Sequence, residues 1–287
     1  MASARARGPS GLASVDIASV LAPVLARIYF NVAHRQRARR ERVEPFKRGR
    51  SLRAVVPGAR PCISISAGGS IMIPDAPDVA YIKQFAAELV ALSKAYRVFV
   101  VVGGGRLARN YIQAARQLGA DESSLDHVGI DATRLNARVL VAALGPHALG
   151  RVPTNFDDAL EASMFHPIVV MGGTHPGHTT DAVAVMMGER ARAERVLILT
   201  NVDGVYTADP RVDRNAKRID RLTAAELVAV TASSTAEAGS TGVIDPMGCK
   251  IIQRARIPTS VLHGRDFDAL RAAAEGRPFK GTVVTPV

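Results

Sequence analysis

One segment concentrates the groups that could handle a phosphate. Gly172-Gly173-Thr174-His175-Pro176-Gly177-His178-Thr179-Thr180-Asp181 joins an apolar run, Ile168–Met171, to a helical pattern over 180–192. Glycines let backbone N–H groups approach an anion closely, and the N-terminus of the following helix favours negative charge. Asp181 stands where a carboxylate can hold cationic partners beside that anion. A second turn, Gly103-Gly104-Gly105, follows the apolar run Val98–Val102, and a third, Gly68-Gly69-Ser70, follows Ile63–Ser66. Strand-to-glycine junctions of this kind suggest a nucleotide site. Arg109 lies one helical turn past the triglycine, within reach of a phosphate for its guanidinium fork. The plain alternative is a solvated helix arginine.

Two common phosphate motifs are excluded. No Gly-Lys-Ser/Thr follows a glycine loop at Walker spacing, and G-x-G-x-x-G with its distant ribose acid is missing. Asp126, ahead of Gly129 and Thr133–Asn136, reads either as a buried cap at a helix entry or as an acceptor for ribose hydroxyls. His175 and His178 lack an evident third metal ligand, so no metal site is assigned to them. After the apolar run Val196–Thr200, Asn201 leads into two turn signals, Asp203-Gly204 and Asp209-Pro210. Tyr206 between them offers a flat face for a base. Lys250 sits in a helix that Asp245 can cap. Such a lysine is usually surface, but in a nucleotide kinase it would face the transferred group.

These residues need a frame of alternating strands and helices. Helical spacing covers 78–95, with Ile82, Phe85, Ala86, Leu89 and Leu92 on one face. Further helices are expected over 106–118, 133–144 (carrying Leu135, Val139 and Leu140), 223–230 and 246–255, and strands over 259–262 and 282–285. The alternation predicts an α/β fold, with a mainly parallel sheet covered on both faces.

Composition agrees with a sizeable core, since 47% of the 287 residues are hydrophobic. Cys62 and Cys249 lie in or beside apolar segments and are expected to be reduced. No apolar run reaches the length of a membrane span. Net charge is +11, yet residues 1–60 hold 13 basic and 3 acidic residues while 61–287 hold 24 and 23. The basicity belongs to the first segment, and the rest is nearly neutral. Residues 1–60 read as a disordered tail or a start assigned too far upstream. Alternatives are a basic amphipathic helix against RNA or an anionic membrane surface, or a targeting peptide without an obvious cleavage pattern. Residues 61–287 read as one catalytic domain.

From residue 61 onward, the motifs together resemble the amino acid kinase family, and within it the archaeal-type uridylate kinases. Gly68–Ser70, Gly103–Arg109, Asp126 with Gly129, Thr133 and Asn136, Gly172–Asp181, Thr200–Pro210 and Asp245–Lys250 fall in family order. The 172–181 string is the specific part, whereas Asn201–Tyr206 is shared more widely. The resemblance implies a three-layer αβα sandwich that binds two nucleotides at the carboxyl ends of its strands. It implies UMP at Gly104, Asp126, Thr174, His175, Pro176, Gly177, His178, Thr179 and Thr180. It implies ATP, as Mg²⁺ complex, at Gly69, Ser70, Gly105, Arg109, Thr200, Asn201, Tyr206 and Asp209, with Asp181 and Lys250 catalytic and Asp181 orienting Lys250. A cytoplasmic homo-oligomer, commonly a hexamer, follows from the same resemblance. Nucleic-acid binding would involve only residues 1–60.

One departure bears on catalysis. Many amino acid kinases carry a lysine two residues before the first-strand Gly-Gly, and this chain has Ser66 there. The rival readings are a kinase acting on a carboxylate, carbamate or isoprenoid phosphate, and a non-catalytic member that binds nucleotide or oxyanion.

Overall fold

The computed structural model describes residues 60–210, 212–233 and 244–286. The basic segment read from the sequence, apart from Arg60, lies outside them. In chain order the elements are β1 (Cys62–Ala67), α1 (Gly69–Met72), α2 (Val79–Leu92), β2 (Arg97–Val102), α3 (Gly105–Gln117) and α4 (Glu122–Leu144). Then come α5 (Phe156–Ala162), β3 (Ile168–Met171), α6 (Thr180–Ala191), β4 (Arg195–Thr200), β5 (Val205–Tyr206), β6 (Arg218–Ile219) and β7 (Arg221–Thr223). The last are α7 (Ala224–Ser233), α8 (Pro246–Ala255), β8 (Thr259–His263), α9 (Phe267–Glu275) and β9 (Thr282–Thr285).

Seven strands form one sheet in the order β3-β2-β1-β4-β8-β9-β7. Every neighbouring pair is parallel except β8 with β9. β5 and β6 make a separate antiparallel pair. Strand order reverses between β1 and β4, the place where open α/β sheets leave a crevice at their carboxyl ends.

Alternation along the strands divides the core. Ile63, Ile65, Val98 and Val100 face a cluster filled by Phe85 and Leu89 of α2, Leu140 of α4 and Leu270 of α9. On the other face, Phe99, Val101, Val169 and Met171 meet Val183, Ala184 and Met187 of α6, while Val196, Ile198 and Val261 meet Cys249 and Ile252 of α8. The result is the three-layer αβα sandwich expected from the sequence. Neither Cys62 nor Cys249 is in a disulfide, both are buried, and burial pushes the Cys62 thiol up to about 12.

The expected strands and most of the expected helices appear near their bounds, and Asp78 and Asp245 cap α2 and α8, whereas β5, β6, β7, α1, α5 and α9 were not expected. Two expectations fail. The helix placed at 133–144 begins at Glu122, because Asp121 caps it and Leu125 and Ile130 extend its buried face. Asp126 is therefore exposed within that helix, neither buried nor at its entry. Of the apolar residues read in it, Leu140 takes a core position and Leu135 is 54% exposed.

Candidate active site at the strand carboxyl ends

The glycine turns interlock. β1 and β2 deliver them side by side: Gly103 N donates to Ala67 O at 2.9 Å, and Gly68 N donates to Leu199 O of β4 at 3.0 Å. A Cβ on Gly69 would stand 2.1 Å from Gly105 N, and Gly105 itself has φ +61° with its own Cβ position 2.7 Å from Gly69 O. No side chain fits at either position, so backbone packs against backbone. Asn136 of α4, buried, donates through Nδ2 to Gly103 O at 2.9 Å and Gly104 O at 3.0 Å. With those carbonyls tied back, the first N–H groups of α3 are left for an anion.

The β3–α6 loop is held by α4 as well. Gly173 N donates to Thr133 Oγ1 at 2.7 Å, and Arg134 Nε donates to Gly173 O at 3.2 Å. Asp126 Oδ2 accepts from Gly177 N at 2.8 Å. Asp126, expected at a ribose, thus engages the loop backbone in this state. Inside the loop, the Thr174 hydroxyl and His178 Nδ1 are buried without a hydrogen-bond partner among the described residues. Buried polar atoms are almost always paired, so such orphans mark a place for a ligand. The rings of His175 and His178 lie edge to face at 6.3 Å.

Thr179 Oγ1 caps α6 by accepting from Ala182 N at 3.1 Å, and it also donates to Asp245 Oδ2. Asp245 Oδ1 in turn accepts from Met247 N at 2.9 Å and Gly248 N at 3.0 Å. Two helix caps are therefore bonded to each other, which joins the heads of α6 and α8. Asp181, in the first turn of α6, is half-buried and accepts from Ser66 Oγ at 2.5 Å. Burial raises its carboxyl from the usual value near 3.8 to about 6; the Ser66 hydrogen bond opposes the rise, and the charge of Asp245 adds to it. Lys250 is exposed one turn into α8 and forms no ion pair with Asp181 among the described residues.

The expected ATP side lies across the switch point. Gly69 and Ser70 open α1, Thr200 ends β4, and Asn201 follows it. Arg109 is exposed on α3. Tyr206 donates to Asp203 Oδ1 at 2.5 Å. Asp203 also receives Lys280 at 2.9 Å and Arg218 at 3.2 Å. Against the desolvation that would raise it, the Tyr206 and Lys280 hydrogen bonds and the two cations bring its carboxyl down to about 2. Asn201 and Tyr206 line a groove of about 790 Å³ together with His263, Phe267 and Lys280, large enough for a nucleotide portion. Asp209 follows Tyr206 on the same loop.

Sequence reasoning missed several participants. Arg134 looked like any helix arginine, and Asp245 only like a cap. The β8–α9 loop, with His263, carries no glycine-rich signal. Asn136 stood in the family pattern, but its tie to the triglycine carbonyls needed the packing of α4 against β2.

Comparison with known proteins agrees with this geometry. The pattern of the amino acid kinase family matches residues 62–263. A uridylate kinase of Thermococcus sibiricus is 45% identical over 219 residues, which cover 76% of this chain and 97% of that protein. The crystal structure of uridylate kinase from Archaeoglobus fulgidus superposes with TM-score 0.71 at 42% identity, covering 78% of this chain and all of that one. The UMP kinase structure from Ureaplasma parvum, at 23% identity and TM-score 0.66 over 79% and 99% of the chains, shares the fold. Matched over its strands, its glycine turns and its β3–α6 loop, the chain belongs to the amino acid kinase family, in the company of the archaeal uridylate kinases.

Proposed function

We propose that this protein is a UMP kinase that transfers the γ-phosphoryl group of ATP to UMP, giving UDP and ADP in pyrimidine nucleotide synthesis. The observation that carries the reading is the β3–α6 loop. Its buried, unpartnered Thr174 hydroxyl and the head of α6 lie at the strand ends beside the triglycine turn, next to Asp181. The names of relatives near 45% identity support the acceptor.

In this reading UMP contacts Gly104, Asp126 and the Thr174–Thr180 loop. ATP contacts Gly69, Ser70, Gly105, Arg109, Thr200, Asn201, Tyr206 and Asp209. A UMP phosphate is largely dianionic at neutral pH, because its second pKa is about 6. Its oxygen attacks the γ-phosphorus as the bond to the ADP oxygen breaks, so no general base is required. The chain supplies in-line positioning and charge stabilisation. Amides at the heads of α3 and α6 meet phosphate oxygens, and Lys250 meets the transferring group.

The donor set suits Mg²⁺ brought in by ATP: Asp181 is a hard oxygen ligand, and magnesium commonly takes one or two carboxylates plus substrate phosphates. When bound, it would neutralise charge on the ATP phosphates. The same reading carries a cytoplasmic setting and a homo-oligomer, a hexamer by resemblance. Exposed Tyr111, Leu118 and Leu135 on the α3–α4 side offer apolar surface for a second copy. Residues 61–287 act as the catalytic domain.

The test is ADP release from Mg-ATP with UMP, CMP, dUMP or no acceptor. Strong UMP-dependent turnover is expected. Binding of UMP and ATP without turnover would leave a non-catalytic member of the family.

A further inference from the structure

Ser66 occupies the centre of the sheet at the switch point and is fully buried. The pleat of β1 turns Ser64 and Ser66 toward α6, opposite to Ile63 and Ile65, which enter the core beneath α2 and α4. Ser64 spends its hydroxyl on Ala184 O at 2.7 Å, a contact within the layer. Ser66 instead reaches the head of α6 and donates to Asp181 Oδ1 at 2.5 Å. The two residues are 115 positions apart in sequence, so the bond is made by the fold and not by a local turn.

The surroundings leave Ser66 this task alone. β2 and β4, which flank β1, carry Arg97 and Arg195 at their opposite ends. The charged group at the head of α8 is Asp245, which repels the Asp181 anion. Lys250 makes no ion pair with Asp181, and α5 meets α6 at its far end through Asp157 and Arg190. Among the described residues, the Ser66 hydroxyl is the donor that fixes the Asp181 carboxylate.

We propose that Ser66 is a positioning residue for the phosphoryl-transfer step, its hydroxyl holding one oxygen of Asp181 so that the other points to the nucleotide phosphates. A hydroxyl does here, without charge, what a buried cation would do by attraction. The proposal rests on the kinase reading above. It assigns Ser66 no contact with substrate; Ser66 acts through Asp181.

The test compares Ser66→Ala and Ser66→Cys with the wild type. Both remove the strong donor, and the cysteine keeps the volume nearly filled, so a packing loss alone would spare it. The expected result in both is a kcat at least tenfold lower, with KM for UMP and for ATP within twofold. Ser66→Thr, which retains the hydroxyl, is expected to recover most of that kcat. Unchanged kcat in Ser66→Cys would overturn the proposal. Crystal structures of the resting wild type and Ser66→Cys read the pairing without turnover. If the wild type released no ADP, the kinase reading would fail. The Ser66–Asp181 pairing would still be judged by whether the Asp181 carboxylate turns away from its wild-type position in Ser66→Cys, and an unmoved carboxylate would end it.

Discussion

At the scale of single residues, the site holds two groups placed at some cost to the folded chain. The Thr174 hydroxyl is buried without a partner among the described residues. A buried unsatisfied hydroxyl costs about 1–3 kcal/mol, and valine has nearly the same shape. Thr174→Val is therefore expected to stabilise the unliganded protein by about 1 kcal/mol while raising KM for UMP at least tenfold, read by denaturant midpoint and by kinetics. Asp181 is the second such group. Its carboxyl, raised from 3.8 to about 6, binds a proton more readily folded than unfolded. Its contribution to stability is thus complete below pH 4 and is lost as pH rises through 6. The difference amounts to about 2–3 kcal/mol. Asp181→Asn keeps an oxygen for Ser66 and does not titrate. It should be more stable than the wild type at pH 8 and lose that advantage as pH falls to 4, while turnover is abolished. Denaturation curves at the two pH values decide it; an advantage that does not change with pH would remove the buried anion as its cause.

At the scale of elements, the heads of α6 and α8 act as one unit because Thr179 and Asp245 cap their own helices and bond to each other. A helix cap is worth about 1 kcal/mol, and neighbours that share a bond are not additive. Thr179→Ala and Asp245→Ala should each cost about 1–2 kcal/mol. The double variant should cost less than the sum by about 1 kcal/mol, and strict additivity would show two independent caps. These elements also show what a sequence discloses. The α2 face and the Asp245 cap were legible because a spacing or a residue type states them locally. The true start of α4 was hidden by Gly129 in mid-helix, so a single helix looked like a loop followed by a shorter one. The Thr179–Asp245 bond spans 66 positions, and no local pattern announces it.

For the whole molecule, the described residues begin at 60 and the family pattern at 62, and one relative is covered over 97% of its length. A fragment of residues 61–287 is expected to fold and to keep UMP-dependent turnover within twofold of the full chain. A tenfold loss would give residues 1–60 a part in the reaction. The architecture was readable because alternating strands and glycine turns are periodic signals, and the β3–α6 loop and the triglycine turn stood out because their residues cluster in sequence. The brace between those loops was not readable. One helix, α4, touches the β3–α6 loop through Asp126, Thr133 and Arg134 and the triglycine turn through Asn136. If UMP and ATP occupy those loops as proposed, UMP and a non-hydrolysable ATP analogue are expected to sharpen each other's affinity through this shared brace. Thermodynamic reciprocity makes the two factors equal, and calorimetry in both orders of addition checks it; unchanged affinities would leave the brace without a part in binding.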